Sequence, residues 1–221
     1  MYFTDIPSSK IYRVDQTGHV TVFAENTART NCLMFGADGK LYGCRMGDKQ
    51  IVAYTQNGRY EVLAEGVDSN DLVVAADGGI YFTDPPNLQV WHISPAGKKQ
   101  VVAKGFRPNG GVLTADGGTL VVTDREAPHL RAFRVESDGR LSFGEHYIGP
   151  MRVPTYPDGL TVDREGRVYV ATRSGVQMFD PTGRMGGVIS KPQPGPLSNI
   201  VFAGPKLEYL YATCGDKVFR R

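Results

Sequence analysis

The sequence has 221 residues, 25 basic and 23 acidic side chains, and a formal net charge of +2. Because the charges are spread along the chain, they form no basic stripe that could follow a nucleic-acid backbone, which argues against a nucleic-acid partner. A hydrophobic content of 41% with 27 glycines and 14 prolines is typical of a globular protein with short elements and many turns. No apolar run is long enough to span a bilayer, so we expect no membrane partner.

The chain begins Met1-Tyr2-Phe3-Thr4-Asp5, which lacks the basic start and apolar stretch of a secretory signal and reads as a strand. We therefore expect a cytoplasmic protein, or a periplasmic or secreted one if a leader has been removed. The three cysteines form no CxxC pair, and an odd number argues against a complete disulfide framework. Cys32, Cys44 and Cys214 each adjoin apolar residues, and we interpret them as small core residues.

A short apolar strand recurs six times along the chain. Its copies have their second residue at positions 2, 42, 81, 121, 169 and 211. Three of them read Met1-Tyr2-Phe3-Thr4-Asp5, Ile80-Tyr81-Phe82-Thr83-Asp84 and Leu120-Val121-Val122-Thr123-Asp124. A period of about 40 residues indicates a repeat architecture.

Each copy is followed by an alternating strand such as Lys10-Ile11-Tyr12-Arg13-Val14, the pattern of a half-buried strand. Asp-Gly or Glu-Gly turns at 38–39, 77–78, 116–117 and 165–166 precede the next copy, because glycine accepts positive φ without a steric penalty. Six such repeats predict an all-β fold, a six-bladed β-propeller that forms a single domain over residues 1–221. A two-sheet sandwich gives no reason for one strand-turn signature to repeat six times.

Polar residues occupy one register of the repeat, at the start of the strand that precedes each turn. These predicted ring residues are Asn31, Asn70, Asn109, Asp158 and Asn199. Because the innermost strand of each blade lines the channel of a propeller, we expect the five side chains to converge at one mouth. Converging amide and carboxylate oxygens suit a hard cation such as Ca²⁺ or Mg²⁺. The alternative is that Asn and Asp begin these strands because their side chains cap turns.

The same register, one repeat before Asn31, falls ahead of Met1. The sequence therefore predicts a first blade without its innermost strand and without its contribution to the ring. An unpaired strand edge invites pairing with another chain. We expect self-association through this incomplete blade, or local disorder near Met1 and near Lys217-Val218-Phe219.

Three inner segments resemble those of the gluconolactonase and senescence-marker-protein family, which includes the luciferin-regenerating enzymes. They are Asn70-Asp71-Leu72, Arg107-Pro108-Asn109-Gly110 and Pro157-Asp158-Gly159-Leu160. The resemblance covers nearly the whole chain and implies a six-bladed propeller that holds a divalent metal and hydrolyses sugar lactones. Carried over by motif, the metal ligands are Asn70, Asn109 and Asp158, with Ca²⁺ as the first choice and Mg²⁺, Mn²⁺ or Zn²⁺ as the others.

The sequence departs from the family at the fourth ligand, a first-blade Glu whose Glu-Gly-Pro segment has no counterpart here. The segment Gly66-Val67-Asp68-Ser69 before Asn70 is shorter than usual, and Arg45 stands where many relatives have an acidic residue. Asp84-Pro85-Pro86 enters the next strand without the common insertion. Absence of the Glu removes one ligand and one negative charge, so we expect weaker metal binding.

The resemblance implies that the metal polarises the lactone carbonyl and stabilises the oxyanion, while Asp158 binds the metal and orients or deprotonates the attacking water. Asn31 and Asn199 are candidates for contact with the lactone. Asp84 is another, and turn capping is its alternative. A non-catalytic propeller that acts as a binding module is the second hypothesis, because the fourth ligand is absent. Hydrolysis of an organophosphate or another ester would differ only in substrate.

Overall fold

A computed structural model of the chain describes residues 1 to 221. Strands make up nearly all of the regular structure, and the only helical segment is a short 3₁₀ turn at Met46–Asp48. No helix has the length and hydrophobicity needed to cross a bilayer. The residues group into two compact units, Met1–Gly105 and Phe106–Arg221, each with three antiparallel sheets whose strands neighbour one another in chain order.

Unit 1 contains the first three sheets. The first sheet consists of β1 (Tyr2–Asp5), β2 (Lys10–Val14) and β3 (Val20–Glu25). The second sheet consists of β4 (Thr30–Phe35), β5 (Leu41–Arg45), β6 (Gln50–Tyr54) and β7 (Tyr60–Glu65). The third sheet consists of β8 (Leu72–Val74), β9 (Ile80–Asp84), β10 (Gln89–Ile93) and β11 (Lys99–Lys104).

Unit 2 contains the other three sheets. The fourth sheet consists of β12 (Pro108–Leu113), β13 (Thr119–Asp124), β14 (Leu130–Val135) and β15 (Leu141–Ile148). The fifth sheet consists of β16 (Leu160–Val162), β17 (Val168–Thr172), β18 (Gly175–Phe179) and β19 (Met185–Ile189). The sixth sheet consists of β20 (Leu197–Ala203), β21 (Tyr209–Cys214) and β22 (Lys217–Arg220).

Six successive sheets of short antiparallel strands confirm the predicted fold class, an all-β six-bladed β-propeller. The first sheet has three strands, and β1 carries the signature that the second strand of the other blades carries. The first blade therefore has no innermost strand within this chain, as predicted. The sixth sheet also has three strands, but it lacks the outermost strand that the four-stranded sheets have. The assignment of residues 1–221 to a single domain stays a prediction.

The hydrophobic core lies between neighbouring sheets. In unit 1 one cluster combines Ile51 of the second sheet with Leu72 and Phe82 of the third, and in unit 2 another combines Leu130 of the fourth sheet with Phe179 of the fifth. The second strands β5, β9 and β17 are buried along their whole length. Each of these strands begins with apolar or aromatic residues in succession and has polar residues only at its end, so its sequence does not alternate.

The innermost strands begin with an irregularity in three of the sheets. Strand pairing shifts between Thr30 and Leu33, between Pro108 and Gly111, and between Leu197 and Asn199. A β-bulge inserts an extra residue and changes the direction of the side chains beside it. Asn31 and Asn109 lie within the first two bulges, and Asn199 directly follows the extra residue of the third.

Glycine is required at two positions, each directly after a predicted ring residue, because the next inner strand approaches closely there. A Cβ at Gly110 would lie 2.8 Å from Leu160 Cδ2 and 2.9 Å from Gly159 Cα, and closer still to Asp158 O. A Cβ at Gly159 would meet the side chain of Asn199, 2.8 Å from its Nδ2. Neither glycine has a positive φ. The lack of a side chain, and not backbone freedom, therefore explains both residues.

We expect Gly110→Ala to lower the free energy of unfolding by about 1–3 kcal/mol, because the added methyl group must displace backbone atoms of the fifth sheet. Gly111→Ala is the matched control, since a Cβ there meets no atom within 4 Å. The control should be neutral or stabilising by less than about 1 kcal/mol. Urea unfolding of the wild type and both variants measures these changes. Equal destabilisation by the two substitutions would contradict the close approach.

Candidate metal and substrate site

The first two predicted ring residues lie at the start of the inner strands of unit 1. Asn31 is the second residue of β4, and Asn70 lies two residues before β8. The two strands touch through Cys32, whose Sγ lies 3.5 Å from Leu72 O and 3.3 Å from Leu72 N. Unit 1 therefore brings the half-buried Asn31 and Asn70 to the same end of neighbouring inner strands.

Unit 2 brings Asn109 and Asp158 to neighbouring positions in the same way. Thr123 Oγ1 accepts a hydrogen bond from Gly110 N at 2.7 Å and donates one to Asp158 O at 3.1 Å, so a single hydroxyl links the starts of two inner strands. Asp158 N donates in turn to Ala171 O at 2.9 Å. Asn109 is 1% exposed and Asp158 is half-buried. The residues that carry the amide and the carboxylate thus lie at neighbouring strand starts with hydrogen-bonded backbones.

Strand pairing corrects the register of the last predicted ring residue. The bulged residue of β20 is Ser198, so Ser198 and not Asn199 holds the position that Asn109 holds in the fourth sheet. Asn199 Oδ1 accepts a hydrogen bond from Ile200 N at 2.8 Å. This hydrogen bond fits the alternative to a ring position, in which an Asn at the start of a strand caps the local backbone. Spacing missed the difference because the predicted ring residues are 39 to 49 residues apart, and a shift of one residue falls within that variation. Contact between Asn199 and the substrate stays a prediction.

Asp84 lies inside the third sheet and is 1% exposed. Its carboxylate accepts hydrogen bonds from Asn87 Nδ2 at 2.9 Å and from Trp91 Nε1 at 3.1 Å. Asp124, at the corresponding end of β13, is likewise buried and pairs with Arg131 at 3.2 Å. The structure therefore favours turn capping over substrate contact for Asp84.

Arg45, which departs from the family pattern, is also buried, at 5% exposure. Its guanidinium pairs with Asp48 at 2.6 Å and stacks 4.2 Å from the centre of the Tyr60 ring. Burial opposes the charge of Arg45, but hydrogen bonds to Tyr54 and Asp48 outweigh burial and raise its pKa. The charge of Arg45 is compensated within the second sheet.

All three cysteines are buried and free, as expected of core residues. The pKa of the Cys32 thiol is raised well above its ordinary value by a hydrogen bond with Cys44, and burial and the nearby Asp71 carboxylate add to the effect. A neutral thiol is a poor nucleophile. Cys32 therefore acts as a contact between inner strands and not as a reactive group.

A cluster of Arg125, Tyr156 and Arg173 was not predicted from the sequence, and its Tyr156 comes two residues before Asp158 in the chain. The guanidinium carbons of Arg125 and Arg173 lie 4.3 and 4.2 Å from the centre of the Tyr156 ring. Tyr156 is 43% exposed. The three residues come from three separate segments, so no local pattern signals their association. The only sequence feature that relates this cluster to the predicted ring is the position of Tyr156, two residues before Asp158.

The buried amide of Gln177 anchors the segment that leads to Tyr156. Gln177 is fully buried, and its Oε1 accepts a hydrogen bond from Arg152 N at 2.6 Å. Its Nε2 donates to Arg152 O at 2.7 Å and to Thr172 Oγ1 at 3.1 Å. The irregular segment before β16 is therefore tied to the fifth sheet through its main chain.

The available donor atoms limit which cation this region could hold. No group of three or more His, Cys, Asp and Glu side chains is placed to hold a metal ion. A cation near Asp158 would therefore depend on amide oxygens as well as on the carboxylate. Such an all-oxygen set fits a hard cation and does not fit a soft one.

Comparison with known proteins identifies relatives along the whole chain. Residues 1–216 match the family described as the SMP-30/gluconolactonase/LRE-like region. A gluconolactonase of Zymomonas mobilis subsp. mobilis is 28% identical over 105 residues, which are 44% of this chain and 29% of that protein's length. The matched segment thus spans less than a third of that enzyme.

Two solved structures show the same fold. A gluconolactonase from Xanthomonas campestris is 28% identical with a TM-score of 0.88, over 99% of this chain and 80% of the other. The calcium-binding protein regucalcin from Agrobacterium tumefaciens is 19% identical with a TM-score of 0.79, over 96% of this chain and 77% of the other. The chain belongs to the SMP-30/gluconolactonase/LRE-like family.

Proposed function

We propose that this chain is a metal-dependent hydrolase that opens a sugar lactone by attack of water. The observation that carries the proposal is the adjacency of Asn109 and Asp158 in unit 2, where Thr123 links the two strand starts. Asn70 has the equivalent register position in the third sheet. The 28% identity to gluconolactonases of two bacteria supports a lactone as the substrate.

Asp158, Asn109 and Asn70 are the proposed metal ligands. The carboxylate supplies negative charge, and the two amides supply oxygen atoms without cancelling more of the cation's charge. We take Ca²⁺ as the first choice because a structural neighbour is a calcium-binding protein, and Mg²⁺, Mn²⁺ and Zn²⁺ follow. When bound, such a cation polarises a carbonyl and lowers the pKa of water.

Asp158 is the proposed catalytic residue. Its backbone is fixed on both sides, since its N–H donates to Ala171 and its carbonyl accepts from Thr123. A half-buried carboxylate on a fixed backbone can position water and accept one of its protons. The water oxygen then bonds to the lactone carbonyl carbon. When the bond from that carbon to the ring oxygen breaks, the proton passes to the ring oxygen, which leaves as a hydroxyl group.

We expect Asp158→Asn to lower kcat/KM for glucono-δ-lactone by about 10²-fold or more, because the amide cannot accept the proton from water. The measurement is the rate of acid release in a pH-indicator assay. Asp180→Asn is the matched control, since Asp180 only caps the turn between β18 and β19 through Thr182 and Arg184. Equal rates for the wild type and Asp158→Asn would rule out the proposed role of Asp158.

Removal of divalent cations with EDTA should abolish lactone hydrolysis, and Ca²⁺, Mg²⁺, Mn²⁺ or Zn²⁺ should restore it to different extents. Asn109→Ala should weaken metal binding by about tenfold or more, since even residues beyond the ligands change affinity by that amount. Asn199→Ala is the control because Asn199 lies outside the ring register. Isothermal titration calorimetry measures both affinities. Hydrolysis that survives EDTA would contradict metal dependence, and metal binding without hydrolysis would favour the binding module.

A further inference from the structure

We infer that Arg125, Tyr156 and Arg173 form a binding subsite for a negatively charged group on the substrate. The inference rests on the proposed function and narrows its substrate class to lactones that carry a carboxylate or a phosphate. Both groups offer the oxyanion that guanidinium groups bind through paired N–H donors.

The two arginines of the cluster have no acidic partner. Neither Arg125 nor Arg173 forms an ion pair, whereas nearby Arg107 pairs with Glu126 at 3.2 Å. Both guanidinium carbons lie close to the same ring, at 4.3 and 4.2 Å from its centre. The distance between them therefore cannot exceed the sum of these two values. Two like charges held this close repel each other, and a bound anion would relieve the repulsion.

Arg125 also has a donor atom that the protein does not use. Its side chain is half-buried, and its Nε is buried with no hydrogen-bond partner. A buried charged donor without an acceptor is rare in native proteins, because its lost hydration is not replaced. An oxyanion that enters the cluster can supply the missing acceptor.

The cluster is held in place before any substrate arrives. Arg125 N donates to Arg107 O at 3.0 Å and Arg173 N donates to Thr155 O at 2.9 Å, so each arginine lies one residue beyond the end of a second strand. The proposed catalytic Asp158 lies two residues after Tyr156, at the same end of the fifth sheet. A lactone whose carbonyl lies at Asp158 can therefore extend a charged substituent towards the two guanidinium groups.

The test compares three substrates in the metal-loaded wild type. They are glucono-δ-lactone, which is neutral, 6-phosphoglucono-δ-lactone, and glucaro-1,4-lactone, which carries a carboxylate. We expect a higher kcat/KM for at least one charged lactone than for the neutral one. The charged lactone that is preferred identifies the group as a phosphate or a carboxylate. Equal kcat/KM for all three lactones would overturn the inference.

Arg125→Met and Arg173→Met remove the charge and keep most of the apolar side chain. Each should raise KM for the preferred charged lactone by about 10–100-fold, the usual worth of a hydrogen bond to a charged group, and should change KM for the neutral lactone by less than about twofold. Arg140→Met is the matched control, because Arg140 is exposed and pairs with Asp138 in a turn. Losses of the same size for the charged and the neutral lactones would overturn the inference.

Anion binding can also be measured without catalysis, which separates this inference from the proposed function. Calorimetry with 6-phosphogluconate, glucarate and gluconate should show that the wild type binds at least one of the first two, which carry an additional anionic group, more tightly than gluconate. Arg125→Met and Arg173→Met should remove that advantage. If no lactone is hydrolysed but this pattern is seen, the proposed function fails and the subsite stands. If lactones are hydrolysed without this pattern, the subsite fails and the function stands.

Discussion

The packing between the starts of neighbouring inner strands is the constraint on which the candidate site depends. In unit 2 the hydroxyl of Thr123 bonds to Gly110 N and to Asp158 O, and Gly110 has no side chain because Gly159 and Leu160 occupy the space. Gly159, the residue after Asp158, in turn approaches the side chain of Asn199 in the sixth sheet. Contacts of the main chain at Gly110 and Asp158 therefore help to place Asn109 and Asp158.

Much of the fold could be predicted because it repeats. The apolar signature of β9 and β13 recurs at a nearly constant spacing, and an all-β repeat of that length with alternating strands has few other solutions. The register of Asn31, Asn70, Asn109 and Asp158 could be predicted as well, since each precedes a turn by a similar number of residues. The periodicity identified these positions, and the family resemblance then suggested metal binding as their function.

Other features of the candidate site could not be predicted from the repeat spacing. Asn199 lies one residue past the ring register, because Ser198 holds the position of Asn109, and spacings of 39 to 49 residues do not reveal a shift of one residue. Asp84 is buried in the third sheet, where Asn87 and Trp91 donate hydrogen bonds to its carboxylate, and the repeat spacing does not predict these bonds. The contact of Arg125 with Tyr156 joins different sheets, and such long-range pairing of surface residues leaves no periodic trace in one sequence.

Gln177 fixes the segment before Tyr156 by binding only the N–H and C=O of Arg152, in the manner of a neighbouring strand. Main-chain groups are the same for nearly every residue type, so this anchor places no demand on the side chains of the segment. Side-chain substitutions there leave these two hydrogen bonds in place. One buried amide thus holds the path of the segment without fixing the identity of its side chains.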